Sequence, residues 1–184
     1  MLPVDFFIFL QIILLLFISP GLPRVVIVSH SLNYGLKRSI WTALGDVSAN
    51  ICQGILVVFI IGSLLKDNPQ ALNTMKWLGI LYIVYLAYDT YTSKLSSIKS
   101  KSKKLKSRSS FYIDGFLVAA LSPKAIIFFG TIFTSFIDFN SNYYVQFIIL
   151  MSTYVTLDFI TLMIYGLAAE KISLWLKSNP KTLN

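Results

Sequence analysis

Five stretches of mainly apolar residues, about Phe6–Val28, Ile40–Leu65, Met75–Thr92, Phe111–Ile137 and Tyr143–Ala169, take up most of this 184-residue chain. Roughly 20 such residues carry a helix across the hydrocarbon core of a bilayer, so each stretch is of spanning length. Inside a membrane the backbone must satisfy its own hydrogen bonds, and the fold this predicts is an all-α, polytopic bundle of about five transmembrane helices. Charged residues make up only 13%, against about 25% in soluble domains, and little chain remains for a soluble domain. The opening MLPVDFF holds Asp5 and no Lys or Arg. It therefore lacks the basic start of a secretory signal, and the first stretch is expected to stay as a span.

The net charge of +8 is unevenly spread. Seven basic residues (Lys94, Lys99, Lys101, Lys103, Lys104, Lys106 and Arg108) sit in the serine-rich linker KLSSIKSKSKKLKSR between spans three and four. Cytoplasmic loops carry the Lys/Arg excess, which places this linker inside, together with Lys37, Arg38, Lys171, Lys177 and Lys181. The N-terminus is then outside and the C-terminus inside. The organisation expected is a first half over residues 1–93 with three spans, a basic cytoplasmic linker over 94–110, a second half over 111–170 with two spans, and a cytoplasmic tail over 171–184. A cluster of this size beside a span also attracts anionic lipid heads. No aromatic platform or binding motif accompanies the charge, so nucleic acid is not expected as a partner.

Two of the spans are broken at matching places. The first contains SPGLPRVVIV and the fourth SPKAIIFF; in each, Ser-Pro interrupts the helix and a basic residue follows, Arg24 or Lys124. The span after each break carries one acid, Asp46 or Asp158. With spans one and four running in opposite directions, this is the pattern of an inverted repeat, here an incomplete 3+2, whose broken helices point to a substrate site between the halves.

An ionisable residue within a span costs at least about 2.5 kcal/mol to insert, and so marks a functional site by default. Asp46 shares a helical face with Thr42, Asn50 and Gln53; Asp158 shares one with Tyr154, Thr161 and Tyr165. Either these acids pair with Arg24 and Lys124 purely for structure, or they work. As working groups, Asp46 and Asp158 would bind and release protons or hold a substrate ammonium. Arg24, Lys124 and the N–H groups of a half-helix starting after Pro23 or Pro123 would hold a carboxylate. Together these suit a small zwitterion. Asp89 and Asp114 are expected to meet the basic linker, His30 to be a hydrated end-group with a proton relay as the lesser alternative, and Cys52 a small packing residue. Tyr82 and Tyr85 read as an interface belt. Gly54 and Gly62 would permit close helix contact and a homo-oligomer. No metal-ligand cluster, nucleophile with its base, or phosphate loop is legible, so neither an enzyme nor a cofactor is expected.

These segments resemble the lysine exporter (LysE/RhtB-type) superfamily of bacterial amino-acid efflux proteins. SPGLPRVVIVSHSLNYGLKRSIWTALGDVSAN is similar to its Pro-Gly-Pro opening, basic turn and Gly-Asp; MKWLGILYIVYLAYDTY to its third span; FYIDGFLVAALSPKAIIFF to its Gly-Phe and Asn-Pro-Lys segment. The resemblance implies a proton-driven antiporter that exports amino acids or similar metabolites from the bacterial inner membrane by alternating access. The residues it implies at the site are Pro20, Gly21, Gly45, Asp46, Pro123, Lys124 and Asp158, to which the helical stripes add Asn50 and Tyr165. The chain departs from the pattern at Leu22, which precedes Pro23, at Arg24, and at Ser122 in place of Asn. Its second half is one helix short of the family's usual six spans. The alternative is a shortened, transport-inactive relative that serves as a membrane scaffold or partner subunit.

Overall fold

Proline decides where this fold bends. A computed structural model describes residues 3–19, 21–61, 70, 73–74, 77–78, 80–81, 84 and 107–178. Among the described residues every regular element is helical. Most of the expected third span, the linker lysines from Lys94 to Lys106, and with them Pro20, Gly62, Tyr82, Tyr85 and Asp89, lie outside them.

The first expected span is two helices, α1 (Phe6–Ile18) and α2 (Leu22–Tyr34), bent by 51°. Ser19, the residue before Pro20, is extended at φ −68° and ψ 123°, as a residue preceding proline must be. The chain re-enters a helix through Gly21, with Pro23 in the first turn, where its missing N–H is harmless. Gly35 ends α2 at φ +83°, a left-handed conformation open to glycine. It leads at once into α3 (Leu36–Leu56), which continues as a π-helical turn over Val57–Ile61. The fourth expected span repeats the device. Helix α4 (Arg108–Ala120) starts at Ser107, whose hydroxyl accepts the Ser110 N–H. It is bent by 53° from α5 (Pro123–Ile127), which runs on as a π-helical turn over Phe128–Phe133.

Helix α6 (Tyr143–Ser178) continues past Ala169, so residues 171–178 of the expected tail are helical. Two bonds hold this extension on the α2–α3 turn. Glu170 Oε1 accepts the Leu36 N–H at 3.0 Å, and the Ser173 hydroxyl donates to the Leu32 carbonyl at 3.0 Å. Among the described residues α3 and α6 are each long and apolar enough to cross a membrane, and each bent pair adds a further span if it counts as one, giving two to four.

The packing is inside out relative to a soluble protein. Phe7, Leu15, Ile18, Leu121, Ile148 and Ile164 are exposed, while Arg24, Asp46, Asn50 and Asp158 are buried. Hydrocarbon takes the place of water outside, so polar groups must find each other within. Helix α3 is the hub; it runs parallel to α4, with Trp41 beside Arg108 and Gln53 beside Ala120, and antiparallel to α6, with Leu36 beside Glu170 and Gly54 beside Met151. It can touch α4 backbone to backbone because two glycines face across the contact. A Cβ on Gly45 would lie 2.0 Å from the Tyr112 carbonyl oxygen, and one on Gly115 would lie 2.0 Å from that of Thr42. A second centre is aromatic, with Phe9, Phe17, Phe128, Phe129, Phe133 and Tyr154 buried together.

Candidate functional site

The two breaks remove backbone donors from the carbonyls before them. In an α-helix the carbonyl of residue i accepts from the N–H of residue i+4. For Leu16 that partner is Pro20, and for Ala119 it is Pro123, and proline has no N–H. The Ala119 carbonyl takes the Ser122 N–H at 3.0 Å in its place, and side chains from other helices reach both breaks. Lys124 Nζ donates to the Leu16 carbonyl at 3.1 Å, and the Tyr165 hydroxyl to that of Ile18 at 3.1 Å. At the second break Gln53 Nε2 donates to the Ala120 carbonyl at 3.0 Å and lies 3.4 Å from that of Ala119. Ser122, standing at the N-cap of α5, makes no side-chain cap of its own, so the amide at this break comes from α3.

Between the breaks lies the charge. Arg24 Nη2 donates to Asp158 Oδ1 at 2.6 Å, with both side chains almost fully buried. The Asn50 amide donates from one nitrogen to Asp158 Oδ2 and to Asp46 Oδ2, each at 3.0 Å. Asp46 and Asn50 stand one turn apart on α3, Arg24 comes from α2 and Asp158 from α6. The guanidinium also lies over the Phe17 ring, 4.9 Å from its centre. Two buried polar atoms of the cluster have no hydrogen-bond partner, Asp46 Oδ1 and Arg24 Nε. Burying such atoms unpaired costs about 1–3 kcal/mol, and more where they are charged.

Gly21, Pro23, Arg24, Asp46, Asn50 and Lys124 line a narrow cavity of about 20 Å³, room for about one water and too small for an amino acid. Of the residues expected at the site, Gly21, Asp46, Asn50 and Lys124 are at this cavity. Asp158 adjoins it through Asn50 and Arg24, Tyr165 holds the α1 break, and Pro123 opens α5 beside it. Gly45 faces α4 instead and serves the close helix contact. Pro20 lies outside the described residues. Ser122, Ala119 and Tyr154 also line the cavity. The first two were visible in the sequence only as neighbours of the break.

Two expectations are corrected. His30 is buried at 7% exposure, with Nδ1 2.8 Å from the Thr42 hydroxyl, because α2 runs six residues beyond Val28 and carries the ring into the bundle. Asp114 lies 3.5 Å from Nε2 of that histidine, and the linker lysines it was expected to meet lie outside the described residues. Cys52 is exposed, since the face of α3 that packs inward carries Ala49, Asn50 and Gly54.

The family model described as LysE type translocator matches residues 14–184. An uncharacterised membrane protein of Vibrio cholerae is 26% identical over 161 residues, 88% of this chain and 78% of its own length. A homoserine/homoserine lactone efflux protein of Salmonella typhimurium is 24% identical over 169 residues, 92% and 82%. A leucine efflux protein of Klebsiella pneumoniae is 23% identical over 164 residues, 88% and 77%. No solved structure matches significantly.

Proposed function

The chain belongs to the LysE-type translocator family, and from that premise we propose that it is a secondary transporter exporting amino acids or similar small zwitterionic metabolites across a bacterial inner membrane. The observation that carries this reading is the convergence of Asp46, Asp158, Arg24 and Lys124 at the meeting point of two proline-broken helices. Both charges of a zwitterion have a partner there. Lys124, with the orphaned Nε of Arg24, takes the carboxylate, and Asp46 Oδ1 takes the ammonium.

The same atoms supply the coupling. Two buried carboxylates share one guanidinium, so one negative charge calls for either a proton or a substrate ammonium. A proton and an ammonium competing for Asp46 exchange with each other, which is antiport: protons enter as substrate leaves. Two seals flank the site. On one side is the aromatic cluster of Phe17, Phe128 and Tyr154, and on the other the dry layer of Ile27, Ala43 and Leu162. Alternating access opens one while the other stays shut, with the two Ser-Pro bends of an inverted repeat as hinges. On the orientation read from the basic residues, the N-terminus is outside, the aromatic seal faces outward, and the linker lies against anionic lipid.

The test is flux of labelled homoserine and leucine from liposomes holding the full chain. Wild type should move at least one of them in response to a pH gradient, and Asp46→Asn should reduce this at least about 100-fold while remaining folded. Folded wild-type protein that moves no amino acid under any gradient refutes the reading and leaves the membrane scaffold in its place.

A further inference from the structure

His30 and Asp114 take no part in the site as read above, yet they are built as a pair. The His30 ring is held at both nitrogens, Nδ1 at 2.8 Å from Thr42 Oγ1 and Nε2 at 3.5 Å from Asp114 Oδ2. It packs edge-on against Phe111, with ring centres 4.9 Å apart, and against Tyr34. Among the described residues, Asp114 from α4 and Tyr34 from its own helix are titratable groups that face it, while α3 offers the Thr42 hydroxyl. The Asp114 side chain keeps 33% of its surface exposed, whereas that of His30 keeps 9%. A chain of polar groups therefore runs from the surface of the bundle to a hydroxyl that is 2% exposed.

That hydroxyl belongs to the residue one turn before Asp46 on the same helical face. Thr42 and Asp46 line a common cleft with Pro23, Val26, Ile27 and Leu162, and the cleft has no room for a water. A neutral amide in place of the histidine would bond Thr42 as well without placing an ionisable ring within a span, where such groups are expensive. What the imidazole adds is the capacity to accept a proton at one nitrogen and release one from the other.

Resting on the proton-coupled reading above, we propose that Thr42, His30 and Asp114 form a proton relay between Asp46 and the cytoplasmic surface of the bundle, with the apolar cleft at Ile27 and Leu162 as the gate on its first step. The Asp46 carboxyl, loaded from outside, passes its proton to the Thr42 oxygen, and the hydroxyl proton of Thr42 goes to Nδ1. The Nε2 proton goes on to the Asp114 carboxylate. Asp46 ends as a carboxylate, the ring ends in its other tautomer, and Asp114 ends neutral. The transfer starts only when Ile27 and Leu162 part, which ties proton movement to opening of that seal.

Two flux assays on the full chain in liposomes separate this relay from the transport it serves. One is net homoserine efflux driven by a pH gradient; the other is homoserine–homoserine exchange without a gradient, which needs no net proton movement. His30→Gln and Asp114→Asn should each lower net efflux at least about tenfold and leave exchange within about twofold. Equal losses in both assays, or no loss in either, overturn the relay. If wild type exchanges homoserine but ignores the pH gradient, the coupling reading fails and the relay with it, while transport stands. A readout independent of transport comes from the single histidine of the chain, since 15N-histidine labelling gives one imidazole signal. In wild type that signal should report the Nε2-protonated tautomer, and Thr42→Val should weaken the preference where Thr42→Ser keeps it. A wild-type ring that samples both tautomers equally overturns the proposal.

Discussion

Whether the Arg24–Asp158 pair works or merely holds the bundle together is decided by removing it in two steps. Asp158→Leu leaves Arg24 buried without its counter-ion, and a guanidinium cannot shed its proton. With charge centres about 4 Å apart, an effective dielectric constant of about 20 gives an attraction of about 4 kcal/mol, in line with the loss of about 3–5 kcal/mol when one partner of a buried pair is removed. For a chain of this size about 4 kcal/mol lowers Tm by about 8–16 °C. Arg24→Met should cost less, because the Asp158 carboxyl can neutralise itself by binding a proton and keeps its bond from Asn50. The double variant should return to within about 1–2 kcal/mol of wild type, since apolar groups of similar volume replace an ion pair at little net cost. Thermal unfolding of the purified chain in detergent, followed by circular dichroism, gives the four corners of the cycle. Losses that simply add, leaving a coupling below about 1 kcal/mol, would refute the reasoning. Flux then separates the roles: a folded double variant that no longer transports homoserine shows that the charges are functional, and one that still transports shows that the pair is structural.

Three further outcomes follow from the packing. Gly45→Ala and Gly115→Ala each put a Cβ 2.0 Å from a carbonyl oxygen on the facing helix, so α3 and α4 must separate by more than about 1 Å, at about 1–3 kcal/mol or more; Gly130→Ala, with nothing within 4 Å, should leave Tm unchanged. Gln53→Leu strips the amide from the carbonyls at the α4–α5 break and should lower Tm by a few degrees, corresponding to about 1–3 kcal/mol. Tyr165→Phe removes the hydroxyl bonded to the Ile18 carbonyl and should cost about 1 kcal/mol and reduce flux severalfold, which the liposome assay reads directly.

Much of the site was legible because charge in an apolar span is conspicuous. Asp46, Asp158, Arg24 and Lys124 stand out against their neighbours, and the four-residue spacing of Asp46 and Asn50 places both on one face without any structure. The breaks were equally plain, since proline announces itself. What could not be read is who meets whom. Gln53 was one more polar residue in a stripe, and only the tertiary packing brings its amide to a break 66 residues away. Gly45 was read through family resemblance as part of the site, whereas its missing side chain serves the approach of α4. His30 was misjudged because its burial depends on how far α2 continues, and the stop signal, Gly35, lies five residues on. The length of α6 was not legible either: the helix runs to Ser178, past the Ala169 end of the expected span, and Glu170 at that point bonds the N-terminus of α3.

On the proposed antiport cycle, the bonds at the first break bear on how the unloaded protein avoids leaking. Lys124 and Tyr165 are the cross-helix donors seen at the Leu16 and Ile18 carbonyls, and any motion that draws α1 away from α5 and α6 strips them off. In hydrocarbon each bare carbonyl costs several kcal/mol, so an empty protein faces a steep penalty for opening there. A substrate ammonium brings up to three N–H donors of its own and can stand in for those withdrawn. In that proposed cycle cargo lowers the barrier that its absence imposes, and idle cycling, which would dissipate a proton gradient for nothing, is suppressed by the same proline that broke the helix.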